Sequence, residues 1–379
     1  MSKELNREKS SLSDVMKDMK KRYGETSVFR GSESVSIEVE TLSTGSLALD
    51  AALLCGGYPK GRLIEVSGIE SSGKTFLCLM AIKRAQQQGM TCAFVDAEHT
   101  LDRPWCEKLG IKFDDLIITR PDFTEDALTQ IMMLARSGEV ALIVWDSVPA
   151  LPTKAESAKE MDEMTMGSHA KILTRAMREL TPICHKNNCT VLFINQIREK
   201  IARGGPMYGD PETTPGGRAL KHHCSVRIKV TRVGSSQIED SLKRTIGHTI
   251  RARVLKNKTS TAQGITVEFV IKYEEGIDVI DEIETVGIQC GVIQRPNKIM
   301  YSLNGVQLKG QKGLRTYLEE HPEEVKKLEV QIKDTMRNGI KTLPEAEAEA
   351  SDTDSDLLDT VGGKEDVEGL ADDFLDTSA

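Results

Sequence analysis

The sequence predicts a doubly wound α/β fold, a twisted, mostly parallel sheet with helices on both faces. Three observations carry that prediction. Short apolar runs alternate with amphipathic, helix-length segments between Leu63 and Thr231, the order that builds parallel strands joined by crossover helices. Several runs, such as Val140-Ala141-Leu142-Ile143-Val144-Trp145, are continuously apolar, as strands covered on both faces must be. The earliest of these strands runs straight into Gly68-Ile69-Glu70-Ser71-Ser72-Gly73-Lys74-Thr75, which fits the phosphate-loop pattern G-x-x-x-x-G-K-[ST] at every defined position.

Taken in order, Ser11–Tyr23 carries Leu12, Val15, Met16, Met19 and Tyr23 at helical spacing, with basic residues opposite. Gly24 ends that helix, Thr26–Arg30 reads as a short strand, and Gly31–Ser34 as a linker. One helix and one strand cannot bury a core, so the pair must dock on this chain or on another copy. Strands are expected at Leu63–Ser67, Thr91–Asp96, Leu116–Thr119, Val140–Trp145, Thr190–Asn195 and Ser225–Thr231. Helices are expected at Phe76–Gln88, Trp105–Leu109, Thr124–Ser137 and His169–Lys186. Ile250–Asn257 and Ile265–Tyr273 read as antiparallel additions to the sheet. After Ile277 the pattern changes to short helices, a hairpin at Ile299–Leu308 and a charged helix at Pro322–Arg337. The division that follows is 1–34 for docking, 35–277 for the core, 278–340 for a small C-terminal domain, and 341–379 for an acidic, disordered tail.

Charge supports that division. From Pro344 onward there are thirteen Asp/Glu and one Lys, a net −12, which leaves +4 for the rest of a chain whose total is −8. A mildly basic body with an acidic tail suits a polyanion ligand for which the tail competes; a tail that serves only solubility fits the charge equally well. No apolar run reaches membrane-spanning length and the first ten residues are polar, so a soluble, cytoplasmic protein without membrane partners is expected. The eight cysteines are scattered and form no Cys-x-x-Cys, which indicates free thiols. His222-His223 lacks a third ligand at zinc spacing.

The phosphate loop requires a nucleotide site around it. Its backbone amides and the following helix N-terminus would face phosphate. Lys74 would reach the β- and γ-phosphates of ATP, and the Thr75 hydroxyl would hold Mg²⁺. In open parallel sheets ligands sit beyond the carboxyl ends of the strands. Asp146 ends one apolar strand and suits the Mg²⁺ water shell. Glu98, just past Asp96, is the candidate for polarising an attacking water, with a helix cap as the plainer alternative. Gln196 ends a third strand and could report a γ-phosphate to the segment after it.

These residues, in this order, resemble the bacterial RecA recombinase family. The similarity covers roughly Leu12–Lys333. It is carried by Leu42-Ser43-Thr44-Gly45-Ser46-Leu47-Ala48-Leu49-Asp50, the phosphate loop, Asp96-Ala97-Glu98-His99, Phe193-Ile194-Asn195-Gln196-Ile197-Arg198, Pro211-Glu212-Thr213-Thr214 and Leu255-Lys256-Asn257-Lys258. The resemblance implies a RecA-type ATPase core, filaments on single-stranded DNA, capture of double-stranded DNA, and ATP-dependent homologous pairing and strand exchange. It further implies an SOS repressor as partner and co-protease substrate.

By the same resemblance Glu98 is the catalytic glutamate and Gln196 the γ-phosphate sensor, while Asp102, Trp105 and Tyr273 frame the adenine. Lys256 and Lys258, which by themselves read as solvated surface, would reach across to a neighbour's ATP. Two loops would line the DNA. One is around Glu160–Ser168, with Met166 and Gly167 and with Lys171 and Arg178 on the next helix. The other is Arg198–Arg218, with Arg198, Lys200, Ile201, Gly216, Gly217 and Arg218. Ile201 matches the residue that wedges between base triplets. The first helix and the Val28-Phe29 strand resemble a protomer-docking piece. Lys309 and Lys312 resemble a duplex-capturing patch, and the tail a regulatory one.

Departures from the family are Gly204-Gly205-Pro206 as an insertion, Pro215 for Thr, Arg218 for Asn, His222 for an aromatic and Met300 for Trp. They touch cooperativity and the repressor role rather than catalysis, and suit a divergent or phage-encoded member. Two other readings use the same core: a hexameric, helicase-like ring ATPase, and a non-hydrolysing recombination mediator.

Overall fold

A computed structural model describes residues 11–33, 39–158, 167–199, 212–297 and 299–337. Its main sheet has nine strands: β1 Leu63–Gly68, β2 Thr91–Asp96, β3 Leu116–Thr119, β4 Val140–Asp146, β5 Thr190–Gln196, β6 Val226–Glu239, β7 Thr245–Asn257, β8 Thr266–Lys272 and β9 Gly276–Ile277. They lie in the order β9-β8-β7-β6-β1-β5-β4-β2-β3. From β6 to β3 every neighbouring pair is parallel, and β7, β8 and β9 are added antiparallel. This is the anticipated architecture, with one difference of extent. The β6–β7 hairpin is far longer than Ser225–Thr231 and Ile250–Asn257, because irregular pairing between Arg232 and Gln237 lets a polar stretch remain in the ladder. Apolar periodicity does not mark such residues.

Alternation along the strands divides the core into two layers. Ile64, Val66, Phe94, Val144, Leu192 and Ile194 face helices Leu47–Ala52, Lys74–Gln87 and Val279–Gln289. Leu63, Val95, Ile143, Trp145, Val191 and Phe193 face helices Thr124–Ser137, Ser168–Lys186 and Ala219–His223. Both faces of β1 are therefore buried along its whole length. The first layer runs on past Ile277 through Ile283, Val286, Tyr301, Leu303, Leu314 and Leu328. Ile283 and Val286 belong to helix Val279–Gln289, and the others to the hairpin Met300–Leu303 with Val306–Lys309 and to helices Gly310–Glu320 and Pro322–Arg337. Glu282 ties this segment to the core. Its buried carboxylate accepts from Ser46 Oγ, from Leu47 N at 2.7 Å and from Ala48 N at 3.3 Å, and so caps helix Leu47–Ala52.

Helix Leu12–Tyr23 forms as expected, capped by Ser11, and none of its residues is buried. The strand expected at Thr26–Arg30 does not. Glu25–Ser27 closes as a 3-10 turn, and Val28 is extended but belongs to no ladder among the described residues. A strand needs an edge to pair with, and extended local preference alone does not supply one. The acidic tail lies outside the described residues.

Candidate nucleotide site and adjoining loop bases

Parallel strands bring their carboxyl ends to one edge. Gly68 is paired with Gln196, and Asp96 with Asp146. The phosphate loop leaves that edge and turns into helix Lys74–Gln87 through Gly73, whose left-handed φ of 91° suits glycine. A Cβ on Gly68 would come within 2.3 Å of the Val230 carbonyl oxygen, and one on Gly73 within 2.5 Å of Ile250 Cδ1. Both glycines are therefore fixed by packing against β6 and β7. The helix start has no side-chain cap, so its orphan amides are available to an anion.

Lys74 is buried and its Nζ donates to the Ile69 carbonyl at 2.6 Å. Burial pulls its pKa below the usual lysine value, opposed by the charges of Asp146 and Glu98. The Thr75 hydroxyl donates to Asp146 Oδ2 at 2.5 Å. Burial pushes the Asp146 carboxyl up to about 6, despite that bond. A hydroxyl and a buried carboxylate that resists ionisation make a hard-oxygen pair that a divalent cation would compensate, so this donor set fits Mg²⁺. Glu98 is exposed and accepts from Ser147 Oγ, which is itself buried. The turn that presents Glu98 is held by Asp96, which accepts from Thr100 N at 3.0 Å and from Arg120 Nε at 3.2 Å.

A cavity of about 430 Å³ opens from the loop, lined by Ser71 to Phe76, Trp105, Arg232, His248, Ile271 and Tyr273. Trp105 and Tyr273 both line it, and Trp105 Nε1 donates to the Tyr273 carbonyl at 2.7 Å. Asp102 does not line the cavity. It caps helix Arg103–Lys108, accepting from Trp105 N at 3.2 Å, and so orients the indole. Lys256 and Lys258 are also apart from the cavity. Lys256 Nζ donates to the carbonyls of Lys221 and His222, and Lys258 Nζ to that of His222.

The loop after Gln196 starts and ends as a pair, Arg198 with Thr213 and Glu199 with Glu212. Asn195 joins this base to the sheet. Its Nδ2 donates to Glu65 Oε1 at 2.9 Å and to the Pro215 carbonyl at 3.1 Å, while its Oδ1 accepts from Gln196 N at 3.0 Å. Arg227 Nε holds the other oxygen of the fully buried Glu65 at 2.5 Å. Gly216 and Gly217 pack on helix Ser168–Lys186, where added Cβ atoms would meet Leu173 at 2.7 Å and Ala170 at 3.0 Å. Gly167 caps that helix and Lys171 lies in its first turn, beside Ala170, and Lys171, Arg178, Arg198 and Arg218 are exposed. Met166, Lys200 and Ile201 lie outside the described residues.

Sequence reasoning missed Arg232, His248, Ser147 and the Glu65–Arg227–Asn195 network. Ser147 directly follows a strand-end Asp and was legible there. The others come from strand register, which leaves no local mark.

Comparison with known proteins identifies the family. The RecA N-terminal domain family matches residues 10–278. Protein RecA of Thioalkalivibrio sulfidiphilus is 44% identical over 349 residues, covering 92% of this chain and 98% of that protein. Protein RecA of Bordetella petrii is 43% identical over 346 residues, covering 90% and 95%. Protein RecA of Azospirillum lipoferum is 42% identical over 346 residues, covering 90% and 94%. Among the described residues no helix is long and apolar enough to cross a membrane. Matched by the family model over residues 10–278 and similar to these relatives over nearly their full length, the chain belongs to the bacterial RecA family of recombinases.

Proposed function

We propose that this chain is a DNA-dependent ATPase that assembles into filaments on single-stranded DNA, pairs it with homologous duplex and drives strand exchange. In this reading Lys74 exchanges the Ile69 carbonyl for β- and γ-phosphate oxygens, and the loop amides hold the remainder. Thr75 and Asp146 would hold Mg²⁺, which would supply positive charge against the phosphates. Glu98, positioned by Ser147, orients and polarises the attacking water. Gln196 contacts the γ-phosphate and passes its presence to the loop that follows.

Arg198, Lys200 and Arg218, with Lys171 and Arg178, would bind DNA phosphates, the glycines would allow close approach, and Ile201 with Met166 would contact bases. Such binding is sequence-tolerant and weakens with salt. Lys256 and Lys258 act on a neighbour's ATP, which makes hydrolysis depend on assembly, and the exposed face of helix Leu12–Tyr23 docks on that neighbour. The observation that carries this reading is the direct succession of nucleotide site and loop base, from Gly68 paired with Gln196 to Arg198 paired with Thr213.

The test is phosphate release with and without single-stranded DNA, together with electron microscopy using a slowly hydrolysed ATP analogue. Stimulated release and helical filaments are expected. Unstimulated release without polymerisation, or closed rings alone, would overturn it.

A further inference from the structure

Lys83 lies near the end of helix Lys74–Gln87, half-buried, and its amine has no hydrogen-bond or ion-pair partner among the described residues. Two other lysines, on the segments it packs against, are held differently. Lys108 Nζ is paired with Glu274 at 2.6 Å, and Lys272 Nζ with Glu275 at 2.8 Å and Asp278 at 3.5 Å.

Two glycine turns adjoin the Lys83 side chain. Gly110 follows helix Arg103–Lys108 and Gly276 opens β9, with φ of 85° and 103°. A Cβ on Gly110 would lie 3.3 Å from Lys83 Cε and 3.6 Å from Nζ, and one on Gly276 3.9 Å from Nζ. Neither turn carries a side chain that could cover the amine, so a small reagent can reach it. Burial and the nearby Arg84 hold its pKa below the usual lysine value, with no carboxylate opposing them. Lys272 goes the other way, its pKa raised by the hydrogen bond to Glu275. Near neutral pH more of Lys83 is therefore free base, the form in which an amine is a nucleophile.

We propose that Lys83 is a site of acylation by acyl phosphates, and that its modification loosens the nucleotide cavity. The neutral amine attacks the acyl carbon and the C–N bond forms. The C–O bond to phosphate breaks, phosphate leaves with that electron pair, and the proton lost from nitrogen passes to water. The product is an uncharged amide whose added bulk sits where the Gly110 and Gly276 turns come nearest the nitrogen. The segments that carry these turns are also the ones joined by Trp105 and Tyr273, which line the cavity and share a hydrogen bond of 2.7 Å. Spreading the turns pulls on that bond. This second part rests on the nucleotide site proposed above.

The experiment treats the full-length chain with acetyl phosphate in the absence of nucleotide and follows each lysine by peptide mass spectrometry. Calorimetric titration with ADP and Mg²⁺ is run before and after treatment. Lys83 is expected to be acetylated several-fold faster than Lys108 or Lys272, and ADP affinity to fall as Lys83 is modified. Lys83→Arg keeps the positive charge on a group that does not lose its proton, and should keep its ADP affinity through the same treatment. If Lys83 reacts no faster than Lys272 in wild type, a measurement that needs no variant to fold, the modification site is overturned. Equal loss of ADP binding in treated Lys83→Arg and treated wild type overturns the link to the cavity. Failure of the untreated chain to bind ADP overturns the nucleotide site and the link together, while the labelling rates still decide Lys83.

Discussion

Thr75 donates its hydroxyl to Asp146 at 2.5 Å across 71 residues of sequence, joining the start of the phosphate-loop helix to the end of β4. If this pair holds the cation, its loss must appear first in the metal requirement. Asp146→Ala is expected to raise the Mg²⁺ concentration for half-maximal turnover by about tenfold or more, the usual effect of losing an outer-sphere partner. An Mg²⁺ titration of ATPase activity checks this, and an unchanged midpoint would remove Asp146 from the site.

Lys74 and Glu98 should separate binding from chemistry. Lys74→Ala is expected to weaken nucleotide binding and lower turnover by about a hundredfold or more, with unchanged circular dichroism. Glu98→Gln should still bind ATP and single-stranded DNA yet lose hydrolysis. A Glu98→Gln protein unable to bind DNA would instead mark that residue as structural.

The Glu65–Arg227 pair joins β1 to β6, with Glu65 fully buried. Arg227→Leu would strand that carboxylate, at a cost of about 3–5 kcal/mol. Urea denaturation measures it. A loss below about 1 kcal/mol would mean that solvent reaches Glu65 when the arginine is gone.

Glu282 gives the protein a pH signature. Burial pushes its carboxyl from 4.5 up to about 7, the hydrogen bonds from Ser46, Leu47 and Ala48 only partly offsetting it. The folded state therefore keeps a proton that the unfolded chain releases. The resulting stability is full below about pH 4.5 and is lost as pH rises through about 7. Glu282→Gln cannot ionise, so its stability should fall less than that of wild type across this window, by on the order of 3 kcal/mol. Unfolding curves at about pH 5 and about pH 8 decide this; parallel behaviour of the two proteins would show that Glu282 stays charged.

Deleting residues 345–379 removes thirteen acidic groups and one lysine. Duplex-DNA affinity should rise, and the salt dependence of binding should change with it. Identical salt dependence in the full-length and truncated proteins would leave the tail a role in solubility only.

The residues that determine their own conformation were legible in the chain. Gly68 to Thr75 define a loop by local backbone freedom and a following helix. The apolar runs of β1, β2, β4 and β5 declare buried parallel strands, and strand-end positions place Asp146, Glu98 and Gln196 at one edge. What the sequence could not supply was register. His248 and Arg232 enter the cavity because β6, β7 and β8 pair as they do. Asn195 meets Glu65 and Pro215 only once β1 and β5 lie side by side. Thr26–Arg30 failed as a strand for the same reason, since extended preference is local while pairing depends on an edge supplied from elsewhere. Local sequence fixes which backbone states are cheap, but hydrogen-bond partners and burial are properties of distant segments brought together.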